Sequence, residues 1–76
     1  MDEEFLDLKG LKCPLPVLKT RKKMREMAPG TRLRAATTDP LARIDMANFC
    51  RENGHRLIDV QDGQDCLVFV IEKGAS

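Results

Sequence analysis

The chain has 76 residues, of which 42% are hydrophobic, 33% charged and 4% aromatic, with a formal net charge of +1. This is enough for one domain close to the lower size limit for an unaided core, too apolar for disorder and too nearly neutral for a general nucleic-acid binder. Its three cysteines are an odd number, which does not fit a disulfide framework and fits a reducing cytosol. The opening Met1-Asp2-Glu3-Glu4 is acidic, unlike the basic start of a signal peptide, and the longest apolar run, Cys66 to Ile71, cannot span a bilayer. A cytoplasmic protein with no membrane attachment is therefore expected.

In chain order, the apolar run Phe5 to Leu8 predicts a short first strand. A first helix is expected from about Pro14 to Met27, with Val17, Thr20, Met24 and Met27 recurring at helical spacing on its inner face and Pro29-Gly30 ending it. Arg32 to Thr37 alternates as a strand would, with Leu33, Ala35 and Thr37 on one side. Thr38-Asp39-Pro40 has the form of a helix start, a capping side chain followed by proline. The second helix continues to about Asn53, with Ala42, Met46, Phe49 and Cys50 as its buried stripe and Gly54 as its stop. His55 to Gln61 and Cys66 to Glu72 predict two more strands, joined by a hairpin turn at Gln61-Asp62-Gly63-Gln64. The order β-α-β-α-β-β over a single domain of residues 5–73 implies an α+β fold, a two-layer α/β sandwich with a mixed four-stranded sheet and two helices on one face. All three phenylalanines fall at core-like positions, so no aromatic stacking platform for nucleic acid is expected.

The chemistry is expected at Asp7-Leu8-Lys9-Gly10-Leu11-Lys12-Cys13-Pro14-Leu15-Pro16. With Pro14 at the first helical position, Cys13 becomes the N-cap, its sulfur facing the free amides of Leu15 and Val17, while Pro16 is tolerated in the same turn. Helix ends and neighbouring cations lower a thiol's pKa from about 8.5, so a Cys13 thiolate is expected nearer neutrality. Lys9, Lys12, Lys19, Arg21 and Lys22 supply an electropositive surround. From Leu8 to Arg34, Glu26 is the lone acid among nine basic residues. Such a charge run is either a solvated helix face or a dock that speeds encounter with an acidic partner. Cys50 and Cys66 are expected to be buried structural residues. Asp39 is expected as a simple cap, and His55 as a hydrogen-bonding residue at a turn or strand end. Cys13, Cys50, His55 and Cys66 lack the short paired spacings of a zinc site, so no metal is expected.

The run Cys13-Pro14-Leu15-Pro16, preceded by Asp7 and Gly10 and followed by Arg21-Lys22, resembles the TusA/SirA-like family of small sulfur-transfer proteins. Thr38-Asp39-Pro40, Asp45, Phe49-Cys50 and Gly54-His55 continue the likeness in the family's order. The resemblance implies the same sandwich with its last strand inside the sheet. It also implies that Cys13 carries sulfur as a persulfide, with no other cofactor, within a sulfurtransferase relay. The donor would be a cysteine desulfurase or rhodanese-type protein and the acceptor a downstream relay protein, one destination being 2-thiouridine of tRNA. The competing expectation is a regulatory or binding module acting through its basic first helix, for which Cys13 would be dispensable.

Overall fold

The computed structural model describes residues 3–74. Its elements are β1 (Glu3–Leu8), α1 (Leu15–Arg25), β2 (Arg32–Thr37), α2 (Ala42–Asn53), β3 (Arg56–Asp62) and β4 (Leu67–Glu72), in the expected β-α-β-α-β-β order. The sheet runs β1-β2-β4-β3, with β1 and β2 parallel and β4 antiparallel to both β2 and β3. The last strand is thus internal, which accounts for its continuous apolar run: Phe69, Val70 and Ile71 are all buried.

Alternation assigns each strand a core face. Leu8, Leu33, Ala35, Phe69 and Ile71 point to the helices and are buried, and Met24, Ala42, Met46, Phe49 and Cys50 close the core from above. The stripe on α2 is the one that periodicity predicts. On α1 the buried residues are Pro16, Thr20 and Met24, with Met27 buried beyond its end, while Val17 is only partly buried. In β3 the pairing slips between Leu57 and Asp59, leaving Ile58 as an extra, exposed residue. That bulge lets Leu57 and Val60, three residues apart, both pack on the core.

Several expectations are corrected. Helix α1 spans Leu15–Arg25, not Pro14 to Met27, and Pro14 is itself the N-cap residue with φ −99° and ψ 12°. Helix α2 begins at Ala42, because Asp39 closes a separate turn before it: the Ala42 N–H donates to the Asp39 carbonyl at 3.1 Å. Phe5 is 60% exposed, since Leu6 and Leu8 take the core side of β1 and the pleat turns Phe5 outward. Cys66 lies outside β4 and is half-buried, its carbonyl accepting the Gly63 N–H at 2.8 Å to close the hairpin turn.

Candidate functional site

Parallel strands side by side send their following loops out at the same end of the sheet, where α/β proteins place their sites. Here Leu8 pairs with Thr37, so the β1–α1 loop and the β2–α2 loop emerge together. Three bonds pin the first loop. Gly10 turns it at φ 87°, a conformation that suits glycine, and its N–H donates to Thr38 Oγ1 at 2.9 Å. The Lys9 N–H donates to Asp7 Oδ1 at 3.0 Å, and the Leu11 N–H to the Leu8 carbonyl at 3.2 Å.

The second loop holds the cysteine. Asp39 is buried, and its carboxylate is divided between two backbones: Oδ2 accepts the Cys13 N–H at 2.8 Å and Oδ1 the Leu41 N–H at 3.2 Å. Its own N–H donates to Thr37 Oγ1 at 3.1 Å. Asp39 is therefore a clamp between loops and not the expected cap, since the N-cap of α2 is Leu41. It fixes Cys13, which stays exposed, at the mouth of α1.

The electrostatics reverse the expectation. The Cys13 thiol lies above its ordinary range, first because of its hydrogen bond to the Asp45 side chain, then through slight desolvation and the negative fields of Asp45 and Asp39. The reason is geometric. The helix starts at Leu15, whose N–H is taken by the Lys12 carbonyl at 2.9 Å; Pro14 and Pro16 have no N–H, and the Cys13 amide points to Asp39. In place of free helix amides, the sulfur faces two carboxylates from the β2–α2 segment. Donor atoms of Cys13, Asp39 and Asp45 all lie within 4.8 Å of one another. A metal ion would find one thiol and two carboxylates here, but both Asp39 oxygens are already engaged by backbone N–H groups. Among the described residues this is the cluster with the donors a metal would use, and it joins Cys13 to two residues of the β2–α2 segment.

Two hollows flank Cys13. One, of about 440 Å³, is lined by Leu11, Lys12, Thr38, Pro40 and Leu41 among others. The second, of about 310 Å³, is a groove between the helices that carries Pro14, Val17, Arg21, Asp45 and Phe49. Of the expected cationic surround, Lys12 and Arg21 therefore reach the cysteine's hollows. Lys19 and Lys22 line a different hollow, with Leu6, Lys23 and Glu26. Lys9 is exposed on the loop and lines neither cysteine hollow. Leu15 is exposed beside the site and Pro16 is buried beneath it. The other thiols differ sharply: Cys50 is 3% exposed and burial pushes it up to about 11. Asp39 and Asp45 are the residues that sequence reasoning left without a role at the cysteine.

Comparison with known proteins agrees with this architecture. The family model described as sulfurtransferase TusA matches residues 4–73. The sulfur carrier protein TusA of Pseudomonas aeruginosa is 38% identical over 73 residues, covering 96% of this chain and 92% of its own. YrkI of Bacillus subtilis is 39% identical over 72 residues, covering 95% and 96%. The crystal structure of a SirA-like protein from Desulfitobacterium hafniense superposes with a TM-score of 0.82 over 93% of this chain and 97% of that one; at 18% identity it speaks for the fold. The chain is a member of the TusA family of sulfur carriers.

Proposed function

We propose that Cys13 is the residue on which the sulfur travels. The observation that carries this reading is its presentation: Cys13 is exposed, held by its own amide to Asp39, and set between two hollows, whereas Cys50 is buried and Cys66 half-buried. In the acceptance step the Cys13 sulfur attacks the terminal sulfur of a donor's persulfide. A new S–S bond forms on Cys13, the donor's S–S bond breaks, and the donor leaves as a thiol that takes up the proton given up by Cys13. Nothing is oxidised or reduced overall, and no metal or organic cofactor is needed.

The raised thiol pKa gives the step a particular form. The resting side chain is a neutral thiol, a form favoured by the Asp45 carboxylate, which has an oxygen within 4.8 Å of the sulfur. A docked donor that covers Asp45 or brings a cation to it would free the thiolate only in the complex. Arg21, on the groove wall, and Lys12, at the other hollow, are the cations nearest to hand for an acidic donor surface. The donor is a cysteine desulfurase or rhodanese-type protein and the acceptor a downstream relay protein, in the cytosol. Synthesis of tRNA 2-thiouridine is one destination that the family resemblance offers, beside cofactor assembly and sulfur oxidation.

Incubation with a cysteine desulfurase and cysteine, followed by mass spectrometry, tests the proposal. Gain of one sulfur atom is expected on the wild type and on the Cys50→Ala and Cys66→Ala variants, and not on Cys13→Ser. A wild-type chain left unmodified by several donor enzymes would return the protein to the regulatory-module reading, in which Cys13→Ser retains full function. Loss of tRNA thiolation in a Cys13→Ser strain checks the destination.

A further inference from the structure

A further hollow, beyond the two that flank Cys13, has a chemistry that the sulfur site does not use. It measures about 460 Å³ and is lined by Arg21, Arg25, Phe49, Asn53, His55 and Lys73. No carboxylate is among these six residues, and three of them are permanent cations. The arrangement is built from both ends of the fold. Arg21 and Arg25 stand one turn apart on the exposed side of α1, a spacing at which like charges destabilise a helix unless an anion lies between them. Among the described residues neither makes an ion pair.

The opposite wall is rigid. Gly54 ends α2 at φ 73°, and Gly74 packs so closely on it that an added Cβ would sit 2.0 Å from the Gly54 carbonyl oxygen. That contact brings the chain after β4 alongside the start of β3, where the Gly74 N–H donates to His55 Nδ1 at 3.0 Å. With Nδ1 an acceptor, the imidazole is neutral and carries its proton on Nε2 as a donor. Its pKa is lowered by burial and by the field of Lys73. Lys73 is fixed by its backbone, accepting from the Gly30 N–H at 3.0 Å and donating to the Thr31 carbonyl at 2.8 Å, and its ammonium donates to the Met24 carbonyl. Phe49 backs the imidazole with ring centroids 5.4 Å apart.

We infer that this hollow is a binding site for a phosphate-class dianion, held by the Arg21 and Arg25 guanidiniums, the Lys73 ammonium and the His55 imidazole. Paired guanidiniums match tetrahedral oxyanions bidentately, and three cations answer a doubly charged group better than a single carboxylate. The hollow is several times larger than one phosphate, so the group comes from a larger molecule, a phosphorylated metabolite whose monoester or pyrophosphate carries the double charge, whereas each phosphodiester of a nucleic-acid backbone carries one. It shares Arg21 and Phe49 with the Cys13 groove, so the anion would lie along the same inter-helix seam as the sulfur.

The test is an NMR titration of the full chain with inorganic phosphate, pyrophosphate and a single-stranded RNA oligonucleotide, at constant ionic strength set by chloride. Saturable shifts centred on the His55 imidazole and the Gly74 amide are expected with pyrophosphate, together with a rise in the His55 pKa as the anion offsets Lys73. Arg25→Gln should weaken binding about tenfold, while Lys22→Gln, which removes the same charge from the far hollow, should leave it nearly unchanged. Pyrophosphate binding that the oligonucleotide does not displace supports the dianion site; oligonucleotide binding tighter than that of pyrophosphate would assign the hollow to singly charged phosphodiesters and overturn it. Shifts spread along α1, equal losses from Arg25→Gln and Lys22→Gln, or no saturable shift at His55 would each overturn the proposal. None of these readouts depends on Cys13, so the result stands apart from the sulfur-carrier assignment.

Discussion

The amide of Cys13 and the carboxylate of Asp39 are joined at 2.8 Å across two loops that are otherwise far apart in the chain. The bond is charge-assisted and the carboxylate is buried, so it ties the position of the sulfur to the packing of the β2–α2 turn. Asp39→Ala leaves the Cys13 and Leu41 N–H groups without their acceptor, which should cost about 1–3 kcal/mol in urea unfolding. Asp39→Asn should recover part of this, since its single amide oxygen can serve one of the two donors and its NH2 must face the other. Faster exchange of the Cys13 amide in Asp39→Asn, with Gly10 unchanged, would localise the loss to the clamp.

Asp45 acts on the same atom from a different side. The alkylation rate of Cys13 should rise about tenfold per pH unit from neutrality and level off only above the ordinary thiol range, because the neutral form is the one that Asp45 and Asp39 favour. Asp45→Asn removes both the largest cause of the raised pKa and the larger of the two negative fields. It should shift the profile to lower pH and speed iodoacetamide labelling at pH 7.5 roughly 3- to 10-fold. An unshifted profile would mean that Asp45 does not hold the thiol. Persulfide loading by a donor at neutral pH should respond less than free alkylation if docking already displaces Asp45.

How much of this was open to sequence reasoning depends on the range of each interaction. The α2 stripe Ala42, Met46, Phe49 and Cys50 follows from a local period of 3.6 and was legible. The exposure of Phe5 was missed although strand alternation carries it: Leu6 and Leu8 share one face, which leaves Phe5 on the other. The one-residue offset of α1 turns on how Pro14 sits, which neither spacing nor propensity reports. The sign of the field at Cys13 was hidden for a stronger reason. Lys9 and Lys12 are its neighbours in sequence, but Asp39 and Asp45 are its neighbours in space, brought there by the parallel pairing of β1 with β2. Long-range pairing chose the sign of the charge, and local composition pointed the other way.

Within the core, Thr20 is fully buried on α1 and its Oγ1 has no hydrogen-bond partner. A hydroxyl left unpaired in an apolar setting costs about 1–3 kcal/mol, whereas a methyl of similar volume costs nothing to desolvate. Thr20→Val keeps the branched shape and should raise stability by about 1 kcal/mol, read as a higher urea midpoint with an unchanged slope. A fall in stability would show that the hydroxyl is satisfied by a water within the helix layer.

The last expectation concerns alkaline pH and the two thiols that fold moves upward. Cys50 is held to about 11 by burial, against about 8.5 in an unfolded chain. Below the unfolded value both states keep the proton and stability is unaffected. Above it the unfolded chain loses its proton while folded Cys50 retains it, so ionisation pulls toward unfolding until pH passes the folded value. Stability should therefore decline between about pH 8.5 and 11. Cys13 adds to the decline in the same direction. In a Cys13→Ser background the remaining slope should flatten further with Cys50→Ala, even though that truncation lowers stability at pH 7 by removing a buried sulfur. A pH dependence that survives both substitutions would place the alkaline sensitivity elsewhere in the chain.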